Sequence, residues 1–358
     1  MLQTQSSLSI DGSLGEGGGQ VLRTSLALAL ITGRSFKLRN IRSSRPKPGL
    51  MPQHLKAVEA ARDIGRANVE GDRLGSQSLM FEPTGLSCGN FQFDIGTAGS
   101  TSLVFQTILP PLSFAEANSC VTLIGGTHVP WSPCFHFLEM HWLRYMRMIG
   151  FDIRLELVTA GFYPRGGGRV SAAVRPNSHL SPLCLINRGA VRSIRGISAV
   201  ANLDLSIAER QKRRAARRLH DVSKAIEIEI LRFTSPSKGS LLLLLAEFEN
   251  SQCCFYGLGA LGKPAETVAD EAVDELFGFL ATDGAIDHYL SDQLVLPLAL
   301  TSGKSEISTS KVTLHLTTNA EIVRMFLPAS IEIEGAIGQP GLIRIQGVNS
   351  MNPERQNS

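Results

Sequence analysis

The stretch FHFLEMHWLRYMRMIGFDIRLELVTAGFYPRGGGRVSAAVRP, residues 135–176, decides the fold. Its first half places apolar side chains three and four residues apart, the spacing of a helix with one buried face. An isoleucine–glycine pair at 149–150 breaks that period. FDIRLELV, at 151–158, then alternates apolar and polar residues, the period of a half-buried strand. The same order recurs. KAVEAARDIGRANVEGDRLGSQSLMFEP, at 56–83, reads as a helix, an IG break and short strands. ETVADEAVDELFGFLATDGAIDHYLSDQLVLPLAL, at 266–300, follows it up to a point, continued by VTLHLTTNAEIVRMFLP at 312–328 and IEIEGAIGQPGLIRIQG at 331–347. Repeated helix–strand–strand blocks predict an α+β fold in which each unit packs helices on a small sheet.

Residues 183–280 differ in texture. They hold the basic run RQKRRAARR (210–218), the apolar LLLLLAEFE (241–249) and the adjacent Cys253 and Cys254. A separate inserted α/β domain is expected there, with a helix from Asp204 to Ile230. Residues 1–182 and 281–346 then form a discontinuous core, and 347–358 a polar, disordered tail.

The chain has 358 residues, 43% hydrophobic and 19% charged, the profile of a soluble globular protein. A net charge of +3 provides no global field to draw it onto nucleic acid, so any such contact must be local. None of the six cysteines forms a CxxC pair, which argues against a zinc knuckle or a disulfide framework and for reduced thiols. The apolar run LALALITG at 26–33 is too short to span a bilayer and lacks a basic leader. A cytoplasmic protein with no membrane partner is expected.

GLGALGKP, at 257–264, satisfies GxGxxG, but Pro264 stands where a P-loop needs a hydroxyl, and the motif comes late in the chain. A plain strand-to-helix turn is the favoured reading. The basic run could contact RNA phosphates or form a solvated helix face, and both stay open. His136 and His141 are five apart, so HExxH is absent. His315 falls in KVTLHLTTN (311–319), whose alternation predicts a strand, where a lone histidine is usually structural. Glycine clusters recur at 15–20 (GEGGGQ), 96–100 (GTAGS), 124–130 (IGGTHVP) and 163–168 (YPRGGG). Such clusters expose backbone N–H groups that suit anions. Arg23, Arg42, Arg45 and Lys47 add fixed positive charge, and arginine forks read phosphate oxygens. Glu16 among them could hold a divalent metal on a nucleotide. These residues indicate a phosphate or nucleotide site without specifying its chemistry.

GEGGGQVLRTSLALALITG at 15–33, followed by IRSSRPKPGLMPQHL at 41–55, resembles the opening of the RNA 3′-terminal phosphate cyclase family. The resemblance continues in IGTAGSTSLVFQTILP, IGGTHVPWSP, GFYPRGGG, HYLSDQLVLPLAL and HLTTNAEIVRMFLP, over roughly residues 8–345 and least in the insert. It implies three repeats of a two-helix, four-stranded unit, as in enolpyruvyl transferases, with a smaller inserted α/β domain. It implies ATP-dependent conversion of an RNA 3′-phosphate to a 2′,3′-cyclic phosphate through a histidine–AMP intermediate. On the matching residues, His315 would be the nucleophile. The segment Tyr289, Leu290, Ser291, Asp292 and Gln293 would bind ATP, with Tyr289 and Pro133 on either face of adenine and Gln106 also in contact. Glu16 would hold magnesium or manganese. Gln20, Arg23, Arg42, Arg45 and His54 would line the path of the phosphates, and the partner would be RNA with a 3′-phosphate end. The alternatives are a non-catalytic cyclase-like factor of ribosome assembly, an ATP-independent enolpyruvyl transferase, and a generic RNA-binding module. Neither monomer nor homodimer is favoured by the sequence.

Overall fold

The computed structural model describes residues 7–177 and 179–348. Residues 349–358 of the expected tail lie outside the described residues. The described strands form four sheets of four strands each. The first unit runs β1 (Leu8–Asp11), α1 (Gln20–Thr32), β2 (Phe36–Arg39), α2 (Pro52–Gly65), β3 (Asn68–Glu70) and β4 (Leu79–Glu82). The second runs β5 (Asn90–Asp94), α3 (Thr101–Leu112), β6 (Ser119–Gly125), a helix, β7 (Asp152–Thr159) and β8 (Gly168–Arg175). That helix is α4 (Phe135–Phe137) and α5 (Leu143–Ile149), joined by a π-helical turn at Leu138–Trp142. Both sheets have the order first–second–fourth–third, with the first pair parallel and the others antiparallel.

The third unit has the same topology but is split in the chain. Its first strand, β9 (Cys184–Leu185), comes before the insert. The insert follows as β10 (Val191–Ala201), α6 (Ser206–Leu219), β11 (Ile226–Arg232), β12 (Gly239–Phe248), β13 (Gln252–Leu258) and α7 (Ala265–Leu280). The third unit then resumes with α8 (His288–Ala299), β14 (Lys304–Thr309), α9 (Leu314–Phe326), β15 (Ser330–Glu334) and β16 (Gly341–Gln346). β9 lies parallel to β14, giving the order β9-β14-β16-β15. The span expected as the insert therefore divides: Cys184–Leu185 belongs to the third sheet, and β10 to α7 build their own layer. The helices of the three units meet, with α1 against α2, α3 and α9, and α8 against α9.

LLLLLAEFE explains how the insert docks. Strand side chains alternate between faces. Leu242, Leu244 and Ala246 pack with Ala215 and Leu219 of α6 and Val268 and Ala272 of α7. Leu241, Leu243 and Leu245 point the other way and join the core of the repeats. A strand buried on both faces reads as a continuous apolar run.

Two expected elements differ. The helix expected over 204–230 ends at Leu219, because IEIEILR at 226–232 alternates with period two and pairs with β10. The strand expected over 311–319 is the start of α9. Thr313 is its N-cap, its hydroxyl accepting the Leu316 N–H at 3.1 Å. Leu316, Ala320 and Val323 are buried at helical spacing, and this longer period overrides the short alternation before it.

One buried network fixes α8. Asp287 Oδ1 accepts N–H bonds from Tyr289 (3.1 Å) and Leu290 (3.0 Å), capping the helix. Its Oδ2 accepts from His141 Nε2 at 2.6 Å, with both side chains fully buried. His141 Nδ1 in turn accepts from Gln252 Nε2 of β13 at 3.1 Å. Asp287→Ala loses the cap and leaves the buried Nε2–H of His141 without its acceptor. It should destabilise the protein by about 2–4 kcal/mol, measured as a fall in the urea midpoint at unchanged m-value. An unchanged midpoint would show that water replaces the carboxylate.

Candidate active site

A cleft of about 1420 Å³ opens where the three units and the insert meet. Gln20, Gln53, His54, Tyr289 and His315 line it from the first turns of α1, α2, α8 and α9. Helix N-termini carry positive dipole ends, so those of α1, α2 and α9 favour an anion, while at α8 the Asp287 carboxylate already takes the Tyr289 and Leu290 N–H groups.

His315 lies between two carboxylates. Its Nε2 is 2.9 Å from Glu16 Oε2 and its Nδ1 3.5 Å from Asp292 Oδ2. The hydrogen bond to Asp292 is the main force raising the pKa of His315 above the ordinary imidazole value; burial opposes it, and the charges of Asp292 and Glu16 add to it. Burial in turn raises the pKa of the Asp292 carboxyl, against the pull of His315 and Arg23. Asp292 is held from several sides. Gln20 Nε2 donates to its Oδ2 and to the His315 carbonyl, each at 3.2 Å. Asn319 Nδ2 donates to its backbone carbonyl at 2.6 Å, while Thr24 Oγ1 donates to Asn319 Oδ1 at 2.6 Å.

The cationic wall is built from the first unit. Arg45 reaches Glu16 at 3.3 Å. Arg42, with φ of 53°, uses its guanidinium to tie its own loop, donating to the carbonyls of Lys47 (2.7 Å) and Gly49 (3.0 Å). Burial, with the charge of Arg45, lowers its pKa. Burial brings Arg23 down to about 10, partly offset by the charge of Asp292, which leaves it cationic at neutral pH. His54 is pushed down to about 3 by burial and by Arg23 and Arg42. It is therefore neutral, and because its Nδ1 accepts the Met51 N–H at 3.1 Å, its proton is on Nε2.

The glycine string is shaped by these side chains. A Cβ on Gly19 would lie 2.3 Å from His54 Nε2 and 2.8 Å from Arg23 Nη1. One on Gly15, where φ is 59°, would lie 1.8 Å from Thr318 Oγ1 of α9. The opening loop can therefore press against both α2 and α9.

Gln106, Pro133, Tyr289, Asp292 and Gln293 line the same cleft. Gln106 donates to the Gln293 side-chain carbonyl, and Gln293 to the Tyr289 backbone carbonyl. Tyr289 donates to Glu275 of α7 at 3.2 Å, and its hydroxyl is pushed up to about 12 by burial and by that carboxylate. Leu290 and Ser291 are turned away: both are fully buried, Leu290 in the core and Ser291 donating to the His288 carbonyl at 3.3 Å. Within the expected ATP segment the helical period thus separates Tyr289, Asp292 and Gln293 from the two residues between them.

Sequence reasoning missed Thr24, Asn319 and the whole insert wall, in which Tyr256, Glu271, Asp274 and Glu275 face the cleft. Asn319 is four residues after His315, so reading 311–319 as a helix would have placed the two on one side. Three of the six cations in the basic run of α6 pair with α7: Arg210 with Glu266 (2.6 Å), Arg214 with Asp270 (2.8 Å), and Arg218 with Asp270 (2.9 Å) and Asp274 (2.8 Å). Lys263 of the GLGALGKP turn is likewise engaged, by the Leu258 carbonyl and Glu271. Among the described residues no group of three or more His, Cys, Asp or Glu side chains could hold a metal ion.

The cleft thus sets a histidine flanked by two carboxylates beside the half-buried guanidinium groups of Arg23, Arg42 and Arg45. The sequence matches the family described as RNA 3′-terminal phosphate cyclase over residues 14–333. Curated proteins of that name include one from Archaeoglobus fulgidus, 41% identical over 92% of this chain and 98% of its own. Another, from Desulfurococcus amylolyticus, is 42% identical over 95% and 98%. A third, from Nostoc punctiforme, is 41% identical over 92% and 97%. The chain belongs to the RNA 3′-terminal phosphate cyclase family, a family of enzymes.

Gly19 has helical backbone angles, φ −76° and ψ −4°, which alanine adopts freely. Gly19→Ala therefore tests the close approach alone. By displacing His54 and Arg23 it should weaken ATP binding about tenfold or more, read by titration calorimetry, with only a small change in Tm. Unchanged affinity would mean that neither side chain is needed where it stands.

Proposed function

We propose that this chain uses ATP to convert an RNA 3′-terminal phosphate to a 2′,3′-cyclic phosphodiester. The observation that carries this reading is His315, aimed into a cleft with Arg23, Arg45 and His54 and held at both ring nitrogens by carboxylates.

In the first step His315 Nε2 attacks the α-phosphorus of ATP, a P–N bond forms, and pyrophosphate leaves. The attacking nitrogen must give up its proton, and Glu16 is positioned to take it. Asp292 keeps Nδ1–H in place and stabilises positive charge on the ring as the bond forms. Arg23, Arg45, Nε2–H of His54 and the helix N-termini face the negative charge that develops on the phosphates, and this preorganised field supplies most of the stabilisation. In the second step an oxygen of the RNA 3′-phosphate attacks the AMP phosphorus and the P–N bond breaks. Both carboxylates favour the protonated imidazole, which makes His315 a better leaving group. In the third step the adjacent 2′-hydroxyl attacks the activated 3′-phosphorus, AMP leaves and the ring closes. The ribose itself holds that hydroxyl beside its target.

Glu16, beside the arginines, would hold a magnesium or manganese ion carried in on the triphosphate, since such ions take most remaining ligands from phosphate and water; the ion would neutralise phosphate charge. Tyr289 and Pro133 would enclose the adenine, with Gln106 and Gln293 near its edge. Among the described residues no helix is long and apolar enough to cross a membrane. Six free cysteines, three of them exposed, suit a reducing compartment, and we infer a cytoplasmic location. An aimed and carboxylate-held His315 favours the catalytic reading over a non-catalytic role in ribosome assembly.

The direct assay mixes the protein with ATP, magnesium or manganese, and an oligoribonucleotide ending in a 3′-phosphate. The end should become resistant to phosphatase with wild-type protein and stay sensitive with His315→Ala. Sensitive ends with wild type and either metal would contradict the proposal. The pH dependence is a second check. His315 must be unprotonated to attack, so the first step slows as pH falls through its raised pKa. Asp292→Asn removes the main cause of that rise and should move the acidic limb to lower pH, whatever it does to the maximal rate. A limb that stays in place would remove Asp292 from this role.

A further inference from the structure

Trp131 is fully exposed, at 100%, and lines the cleft. Its backbone is left-handed, with φ of 63°. A bulky side chain keeps that conformation only where its surroundings impose it, and such strain concentrates at functional sites. Neither feature serves folding, because an indole in water buries nothing and the backbone angle is unfavourable.

The turn that carries Trp131 is nevertheless fixed. Ser132 is buried, its hydroxyl donating to the Val129 carbonyl at 3.3 Å. Its carbonyl accepts the hydroxyl of Tyr256, from the insert, at 2.6 Å. Insert and core together thus hold the indole out at the cleft. The cleft, at about 1420 Å³, exceeds the roughly 300–1,000 Å³ of a single small-molecule site. It has room for the end of a second ligand beside a nucleotide.

We propose that Trp131 is a stacking platform for the 3′-terminal base of the RNA. This rests on the proposed function, which supplies the RNA end. ATP has a more enclosed aromatic position available, at Tyr289, which is half-buried beside Phe255 with ring centroids 6.3 Å apart. Trp131 has the exposure that suits a polymer entering from solvent. Stacking is tolerant of sequence because every base has a π face, so the platform would orient the terminal nucleotide without selecting it strongly.

The chain has two tryptophans, and the other, Trp142, is buried at 2% exposure. Trp142 also lines the cleft, so emission from position 131 is read as the difference between wild type and Trp131→Phe. With ATP left out there is no turnover, and an oligoribonucleotide ending in a 3′-phosphate should quench that emission. The same oligomer with an abasic last residue should not. Equal quenching by the abasic oligomer, no quenching by either, or quenching by ATP alone would overturn the platform. In the cyclisation assay Trp131→Ala should raise the KM for RNA about tenfold and the KM for ATP far less, with Trp131→Phe restoring most of the loss. Trp131→Gly relieves the left-handed strain, so it should show the same RNA defect with a Tm no lower than wild type. A defect that follows a lower Tm would instead be structural. If wild type cyclises RNA and the alanine variant matches its KM, the platform fails and the function stands. If wild type forms no cyclic end, the function fails, and the quenching experiment still decides the platform.

Discussion

A histidine held between two carboxylates is the interaction on which the site depends. Glu16 comes from the loop before α1, Asp292 from α8 and His315 from α9, so the first and third units must be docked for the three to meet. The half-exposed Glu16–His315 pair is weak on its own. What gives this one its geometry is the buried frame behind it. Thr24 of α1 holds Asn319 of α9, which holds the backbone of Asp292, and Gln20 bridges Asp292 and His315. The glycine string belongs to the same frame, since at Gly15 and Gly19 no side chain fits between the opening loop and its neighbours. The repeat architecture thus becomes a means of bringing helix N-termini from different units to one cleft.

The insert is part of this construction. β12 is buried on both faces, one by its own helices and one by the core of the repeats. β13 reaches further, because Gln252 engages His141, which engages the Asp287 cap of α8. α7 closes the cleft with Glu271, Asp274 and Glu275, and its outer acidic residues pair with the arginines of α6. Half of the basic run, Arg210, Arg214 and Arg218, serves to join two helices.

Much of the fold was legible because each unit carries its own periodicities. The helix–IG–strand order marks the second half of the first and second units directly. The third was harder to read, because its first strand has only two residues, Cys184–Leu185, and is separated from its first helix by the insert. No local pattern assigns so short a strand to a sheet completed by distant residues. At the site, glycines and arginines pointed to phosphate, but nothing local singled out His315. Its alternating neighbours suggested a strand, and the Thr313 cap that starts α9 changes which residues share its face. Asp292 became more than a nucleotide contact only when tertiary packing placed it beside His315. The division within 289–293 follows from helical phase and could have been read from the sequence.

The central claim is that His315 carries AMP. The most direct measurement mixes the protein with ATP labelled on the α-phosphate and a divalent metal, without RNA, then denatures it and maps the label. The account predicts an acid-labile adduct on His315 that is absent from a folded His315→Ala variant. An adduct that persists in that variant, or no adduct in wild type with either magnesium or manganese, would contradict it.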